Sequence, residues 1–297
     1  MNEFPKSPRL DKNEFHSFAE IPGFAYINGE KNPAITSFLE TAKQTLKRRT
    51  KRNFWDQLKL VDSVEKVRAN SATSNEAIAR SYDQEYGNPH TPYGYASAIL
   101  SQNGFELITG LPADSAPSLT VIDLGAGSDE FLRFCRDTLT IPSEQLYGSD
   151  VSEVSRDIVA SDGFKAHLGR LEELHLPERA FNLAYLSYFI DYDTNQSKTF
   201  DATIDLIAPG GHIVIEGLFP VRPTEIVKKG ISPDGTVTKG TSAEEDIRLV
   251  MEAFIKLGRE KGRTVALQKV VKSHRFVQSH YGFHQLPSYF LTFAVSD

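Results

Sequence analysis

The chain has 297 residues, 40% hydrophobic and 24% charged, which is the make-up of a folded protein with room for one large core. A formal net charge of −6 and a pI near 5.8 exclude a general electrostatic attraction to nucleic acid. The lone cysteine, Cys135, excludes an intramolecular disulfide framework and a multi-cysteine zinc site.

From its first residue the chain reads as mixed and mainly helical up to about residue 100. Met1 to Lys6 leads into no apolar signal-type run, and no stretch approaches the roughly 20 apolar residues that a membrane helix needs. The expectation is a soluble cytoplasmic protein with no membrane contact. Pro33 opens a predicted helix carrying Ile35, Phe38, Leu39 and Ala42 at helical spacing. The basic run from Lys43 to Arg52 follows; with Asp56, Asp62 and Glu65 close behind, it reads as a solvated helix face. Ser81 to Gly87 then precedes a Pro/Gly/Tyr-rich stretch, 88 to 95, expected as an ordered loop.

Between residues 119 and 217 short apolar runs alternate with helical periods. Strands are predicted at Leu119 to Leu124, near Leu146 to Asp150, at Phe181 to Phe189 and at His212 to Glu216. Helices are predicted at Glu130 to Leu139, where Cys135 falls on the apolar side, at Val154 to Ala160 and at Phe200 to Ile207. Such alternation argues for right-handed crossovers and a parallel sheet. Residues 218 to 241, rich in Pro, Gly, Lys and Thr, read as a long loop or lid. Ser242 then caps a helix that is expected to run to about Leu257 and to stop at Gly258. Val265 to Val277 and Tyr289 to Val295 are β-rich, an antiparallel pair expected to close the sheet edge. The expected fold is therefore α/β: a Rossmann-like, doubly wound, mostly parallel sheet with an antiparallel C-terminal hairpin, spanning residues 101 to 297. A mainly helical extension or lid, residues 1 to 100, precedes it.

The chemistry concentrates at Asp123-Leu124-Gly125-Ala126-Gly127. A strand delivers the chain into a turn whose two glycines let a ligand approach the backbone, and the helix beginning near Asp129 adds unpaired N–H groups. About 20 residues on, Asp150 ends the second strand, where a carboxylate can accept bonds from both hydroxyls of a ribose. A nicotinamide-dependent dehydrogenase is disfavoured. Glu130 stands at the third fingerprint glycine, and no Tyr-x-x-x-Lys pair occurs in the chain.

These residues resemble the motifs of the class I S-adenosylmethionine-dependent methyltransferases. Asp123 to Gly127 is similar to their first motif, whose glycines lie against the methionine part of the cofactor, and Asp150 matches the acid that holds the ribose. Gly169 to Leu174 occupies the place of the adenine-side motif. Phe181 to Ser187 resembles the fourth-strand motif, and Leu206 to Ile215 the helix-turn-strand element that follows it. The resemblance implies S-adenosyl-L-methionine as cofactor, with Asp123, Gly125, Ala126, Gly127, Asp150, Val151, Arg170, Leu171 and Ser187 as its contacts. Tyr82 and Tyr86 would fold over it, or else pack the N-terminal helices. Three positions depart from the family pattern: Asp129 where a third glycine is usual, Arg170 where an acid is common, and Asn182 where Asp is frequent. They fit a divergent methyltransferase, and also a relative that kept the cofactor site and lost or changed the reaction.

The implied function is methyl transfer to a small organic acceptor. The alternative is a non-methylating cofactor-binding protein, serving as a regulator, a partner subunit or a cyclisation or rearrangement catalyst. Candidate catalytic residues follow the fourth strand: Tyr188, Asp191 and Tyr192, with Asp191 either a base or a helix cap. His280 and His284, with Tyr281 between them, lack an acidic or thiol companion nearby, so no metal is expected. No nucleic-acid partner is expected, and oligomerisation is left open.

Overall fold

In the computed structural model, which describes residues 24–26, 94–188, 196–217, 243–279 and 282–297, the run Val121–Leu124 forms a strand buried along its whole length. Phe181–Ser187 is likewise covered over most of its length, the pattern of strands that carry helices on both faces. The described strands are β1 (Phe24–Tyr26), β2 (Gly94–Ala96), β3 (Val121–Leu124), β4 (Leu146–Asp150), β5 (Lys165–Leu168), β6 (Phe181–Ser187), β7 (Ile207–Gly217), β8 (Thr264–Ser279) and β9 (Gly282–Ser296). The helices are α1 (Gln102–Thr109), α2 (Glu130–Asp137), α3 (Glu153–Ser161), α4 (Gln196–Leu206) and α5 (Ala243–Glu260).

All nine strands share one sheet, in the order β1-β8-β9-β7-β6-β3-β4-β5, with β2 also paired to β8. Strands β5, β4, β3, β6 and β7 run parallel; β9 is antiparallel to both β7 and β8. The chain therefore winds outward from β3 through β4 to β5, then returns to β6 on the other side of β3. The carboxyl ends of β3 and β6 flank this reversal, where open α/β sheets place their ligands. This is the Rossmann-like, doubly wound sheet with an antiparallel C-terminal hairpin.

Each face buries its own core. On one, Phe105 and Ile108 of α1, Phe131 and Cys135 of α2 and Val159 of α3 meet Val121, Leu183, Tyr185 and Val214. On the other, Phe200 and Ile204 of α4 and Ile247, Met251 and Phe254 of α5 meet Ile122, Ala184, Ile215 and Leu291. Among the described residues no helix is long and apolar enough to cross a membrane.

Gly148 shows how closely the first of these layers sits. A Cβ there would lie 2.9 Å from Val159 Cγ1, 3.0 Å from Leu132 Cδ1 and 3.2 Å from the Cβ of Ala126, so it meets α3, α2 and the turn after β3 at once. Gly148→Ala is expected to destabilise the fold by about 1–3 kcal/mol, the scale of core overpacking. A urea-unfolding midpoint equal to that of the parent would contradict this packing.

Several boundaries differ from the sequence expectation. The last helix does not stop at Gly258 but continues to Glu260. Gly258 instead lets the helix approach β8, since a Cβ would fall 2.4 Å from Val265 Cγ2. The turn is made by Gly262 at φ 69°, with Arg263 N–H bonded to Gly258 O at 2.8 Å. Strand β7 begins at Ile207 rather than His212, because Ile207 already pairs with Phe181 before a register shift. The C-terminal hairpin does not end the sheet: β1 and β2 pair with the far side of β8, so the stretch expected as a loop at 88–95 runs into a strand. The helix predicted from Pro33, the basic run 43–52 and the loop 218–241 lie outside the described residues.

Candidate functional site

The glycine turn is built from backbone bonds. Gly125 and Gly127 take φ of 76° and 56°, the left-handed region that side chains resist. The N–H groups of Gly125 and Ala126 both donate to Ser149 O, at 2.8 and 3.0 Å. Gly127 N–H donates to Asp150 Oδ2 at 2.9 Å, while Ser152 N–H donates to Asp150 Oδ1 at 2.9 Å. Ser155 Oγ closes the ring by donating to Gly127 O at 2.7 Å. Asp150 O in turn accepts from Gly169 N at 2.9 Å, which brings the Gly169–Leu171 stretch to the same strand end.

Asp150 is thus the hub that joins the glycine turn, the start of α3 and the Gly169 stretch, with Val151 partly buried beside it. Burial pushes its carboxyl pKa up, and the N–H donors of Ser152 and Gly127 oppose that rise. Asp123 is 1% exposed, its Oδ1 has no hydrogen-bond partner in the structure, and burial holds its pKa well above the carboxylate range.

The three departures from the family pattern each have a local role. Asp129 sits at φ 57°, a conformation in which a glycine would be at ease, and its buried carboxyl lies 3.2 Å from Arg133 Nε. Arg170 precedes the short turn Leu171–Glu173, its Nε donating to Glu172 Oε1 at 2.6 Å, with Leu171 buried. Asn182 is at the amino end of β6, away from the crevice; its Oδ1 accepts from Thr120 N–H at 2.8 Å, as an Asp oxygen would.

A second cluster lies at the same edge of the sheet and was not anticipated. Glu216, near the carboxyl end of β7, is fully buried. Its Oε1 accepts from Ser97 Oγ at 2.9 Å and Ser288 Oγ at 2.6 Å. Its Oε2 accepts from Tyr185 Oη and, at 3.1 Å, from Arg275 Nη1. The Arg275 guanidinium also bonds Ser187 Oγ through Nη1 and lies 3.6 Å from the Tyr95 ring centre and 4.4 Å from that of Tyr188. Since β8 runs in the direction of β7, Arg275 belongs to the carboxyl edge, beside the end of β6.

Of the predicted site residues, the structure gathers Asp123, Gly125, Ala126, Gly127, Asp150, Val151, Arg170 and Leu171 around the ends of β3 and β4. Ser187 and Tyr188 stand at the end of β6, in contact with Arg275. Asp191, Tyr192, Tyr82, Tyr86, His280 and Tyr281 lie outside the described residues, as does the side chain of His284. Glu216 carried one signal in the sequence: a carboxylate ending the apolar run Ile213-Val214-Ile215. Nothing in the sequence points to its partner, 59 residues away.

A glycine turn tied to an acid on the neighbouring strand, at the reversal point of a doubly wound sheet with a C-terminal antiparallel hairpin, defines the nucleoside-cofactor class of α/β proteins. A family model described as a methyltransferase domain matches residues 53–222, more than half of the chain. The chain belongs to this family, the class I S-adenosylmethionine-dependent methyltransferases. Solved structures with a similar fold include an S-adenosylmethionine-dependent methyltransferase from Mesorhizobium loti, at 19% identity and TM-score 0.41, covering 62% of this chain and 94% of that one. The [4+2]-cyclase SpnF is 14% identical with TM-score 0.47, over 74% of this chain and 96% of that one. A methyltransferase from Aquifex aeolicus is 15% identical with TM-score 0.39, over 60% and 82% respectively. A search of curated proteins found no match.

Proposed function

We propose that the protein binds S-adenosyl-L-methionine and transfers its methyl group to a small organic acceptor. The observation that carries this reading is the carboxylate of Asp150, which pins the Gly127 N–H at 2.9 Å and so fixes a bare backbone turn beside an acid on the next strand.

The residues fit the cofactor. Gly125 to Gly127 would lie along its methionine part, Asp150 and Val151 at its ribose, and Gly169 to Leu171 on its adenine side. The Asp150 carboxylate is held by the backbone N–H groups of Gly127 and Ser152, with Ser155 and Val151 also bonding to it, which fixes its direction at the strand end where ribose hydroxyls would meet it. The unpartnered Asp123 Oδ1 leaves one buried oxygen open to a hydrogen-bond donor of a ligand. When bound, S-adenosylmethionine supplies a methyl group on a positively charged sulfur, open to in-line displacement.

The protein's share of catalysis is alignment and exclusion of water, and alignment alone is worth roughly 7–11 kcal/mol of barrier. The net charge of −6 supports a small-molecule acceptor over a nucleic acid. Asp129 is buried in the fold 3.2 Å from Arg133, and Arg170 is paired with Glu172, which weakens the case that these departures disable the site.

Calorimetric titration with S-adenosylmethionine and S-adenosylhomocysteine tests the cofactor, and transfer of label from the methyl group tests the reaction. Asp150→Ala is expected to weaken binding of both by about 1.5–3 kcal/mol, the scale of a hydrogen bond to a charged group. Unchanged affinity in the folded variant would remove Asp150 from the site. Binding without any label transfer would favour a non-methylating role.

A further inference from the structure

The Glu216–Arg275 cluster lies apart from the glycine turn and Asp150 and meets the crevice through Ser187 and Tyr188 at the end of β6. Arg275 is 4% exposed and packs against two tyrosine rings, within the range of strong cation–π attraction. One of those rings belongs to Tyr188, which stands at φ 54°, a conformation rare for a bulky side chain. Its N–H donates to Glu216 O at 2.7 Å, and its ring covers Arg275. Arg275 also bonds Ser187 Oγ, one residue earlier. The last residue of β6 and the first beyond it are therefore fixed from the side by a guanidinium whose own orientation is set by Glu216 and by Tyr95 of β2.

This is more than a strut for the core. A hydrophobic pair would brace the hairpin without desolvating two charges, and replacing buried ion pairs by apolar residues is often neutral for stability. The arrangement instead fixes the direction of a polar group and the backbone at one place, the end of β6, which borders the crevice at the reversal of strand order. Residues that lock a strained backbone at such a place serve the geometry of a site.

We propose that Arg275 is a positioning residue for the acceptor side of the reaction, acting through Ser187 and Tyr188 and held by Glu216, Tyr95 and the Tyr188 ring. The proposal rests on the methyltransferase reading. Its role is to keep the end of β6 at a set distance from the glycine turn, so that the acceptor meets the cofactor in line.

The test uses the full chain and two variants, Arg275→Lys and Tyr95→Leu. Lysine keeps the charge toward Glu216 but cannot present a flat surface to two rings. Three quantities are read: the Kd of S-adenosylhomocysteine, hydrogen exchange of the peptide containing Tyr188, and tritium transfer from methyl-labelled S-adenosylmethionine to a deproteinised cell extract. In both variants the Kd is expected to stay within about twofold, the Tyr188 amide to exchange faster, and transfer to fall by up to roughly 100-fold, the scale of a 1 Å misplacement. Unchanged Tyr188 exchange in folded Arg275→Lys would overturn the proposal, as would cofactor affinity falling in step with transfer. If the parent protein transfers no label, it is the methyltransferase reading that fails, and the exchange measurement still decides whether Arg275 fixes the end of β6.

Discussion

Glu216→Ala is expected to destabilise the protein by about 3–5 kcal/mol, the cost of removing one partner from a buried ion pair. The carboxylate takes up hydrogen bonds from Ser97, Ser288, Tyr185 and Arg275 with no part of it exposed. Alanine leaves the Arg275 charge in the interior without its counter-ion and three hydroxyls short of their acceptor, each unmet group adding to the loss. Glu216→Gln keeps the shape and one acceptor oxygen but not the charge, so its loss should be smaller. Urea unfolding of the parent and both variants measures the difference. An alanine variant within about 1 kcal/mol of the parent would mean that the network rearranges freely, because ordinary substitutions already fall in that range.

Asp129 predicts an unusual pH dependence. Its carboxyl pKa is raised from 3.8 to about 8, chiefly by burial, with Arg133 opposing the rise and Asp162 adding to it. The folded state therefore holds the proton more tightly than the unfolded chain does. The stabilisation is complete below the ordinary carboxyl pKa and is lost as pH climbs toward about 8, at up to about 1.4 kcal/mol per pH unit from this group. Asp129→Asn should flatten that part of the profile. Asp129→Gly should do the same and add roughly 1 kcal/mol by relieving the left-handed backbone at φ 57°. Urea midpoints at acidic and mildly alkaline pH read both effects; parallel profiles for parent and variants would show that Asp129 does not titrate in this window.

Much of the glycine-turn half of the candidate site is legible in the sequence because it is local. The turn after β3 needs glycine where φ is positive, and the acid needs to end the next strand, so Gly125, Gly127 and Asp150 announce themselves by residue type and spacing. The same locality explains why β3, β4, β6, β7 and most helices are legible within about five residues, whereas the short, half-exposed β5 leaves no apolar run to mark it. Gly258 misled because a glycine in a helical run has two uses, stopping the helix or letting it pack closely, and only the approach of Val265 decides which. Asp129 was legible as a departure, but its consequence was not, since its burial depends on how α2 meets the turn before β5.

The sequence by itself determined the alternation of apolar strands with amphipathic helices, the glycine turn and the position of its acid, since these follow from backbone conformation and hydrophobic period over a few residues. The tertiary structure alone decided which face of the sheet each helix covers, that β1 and β2 extend the sheet beyond β8, and that Glu216 meets Arg275, Ser97 and Ser288. Those contacts join residues 59 to 119 positions apart. Whether such groups meet is settled by the register of β7, β8 and β9 and by the need to satisfy every buried charge, neither of which leaves a local mark in the chain.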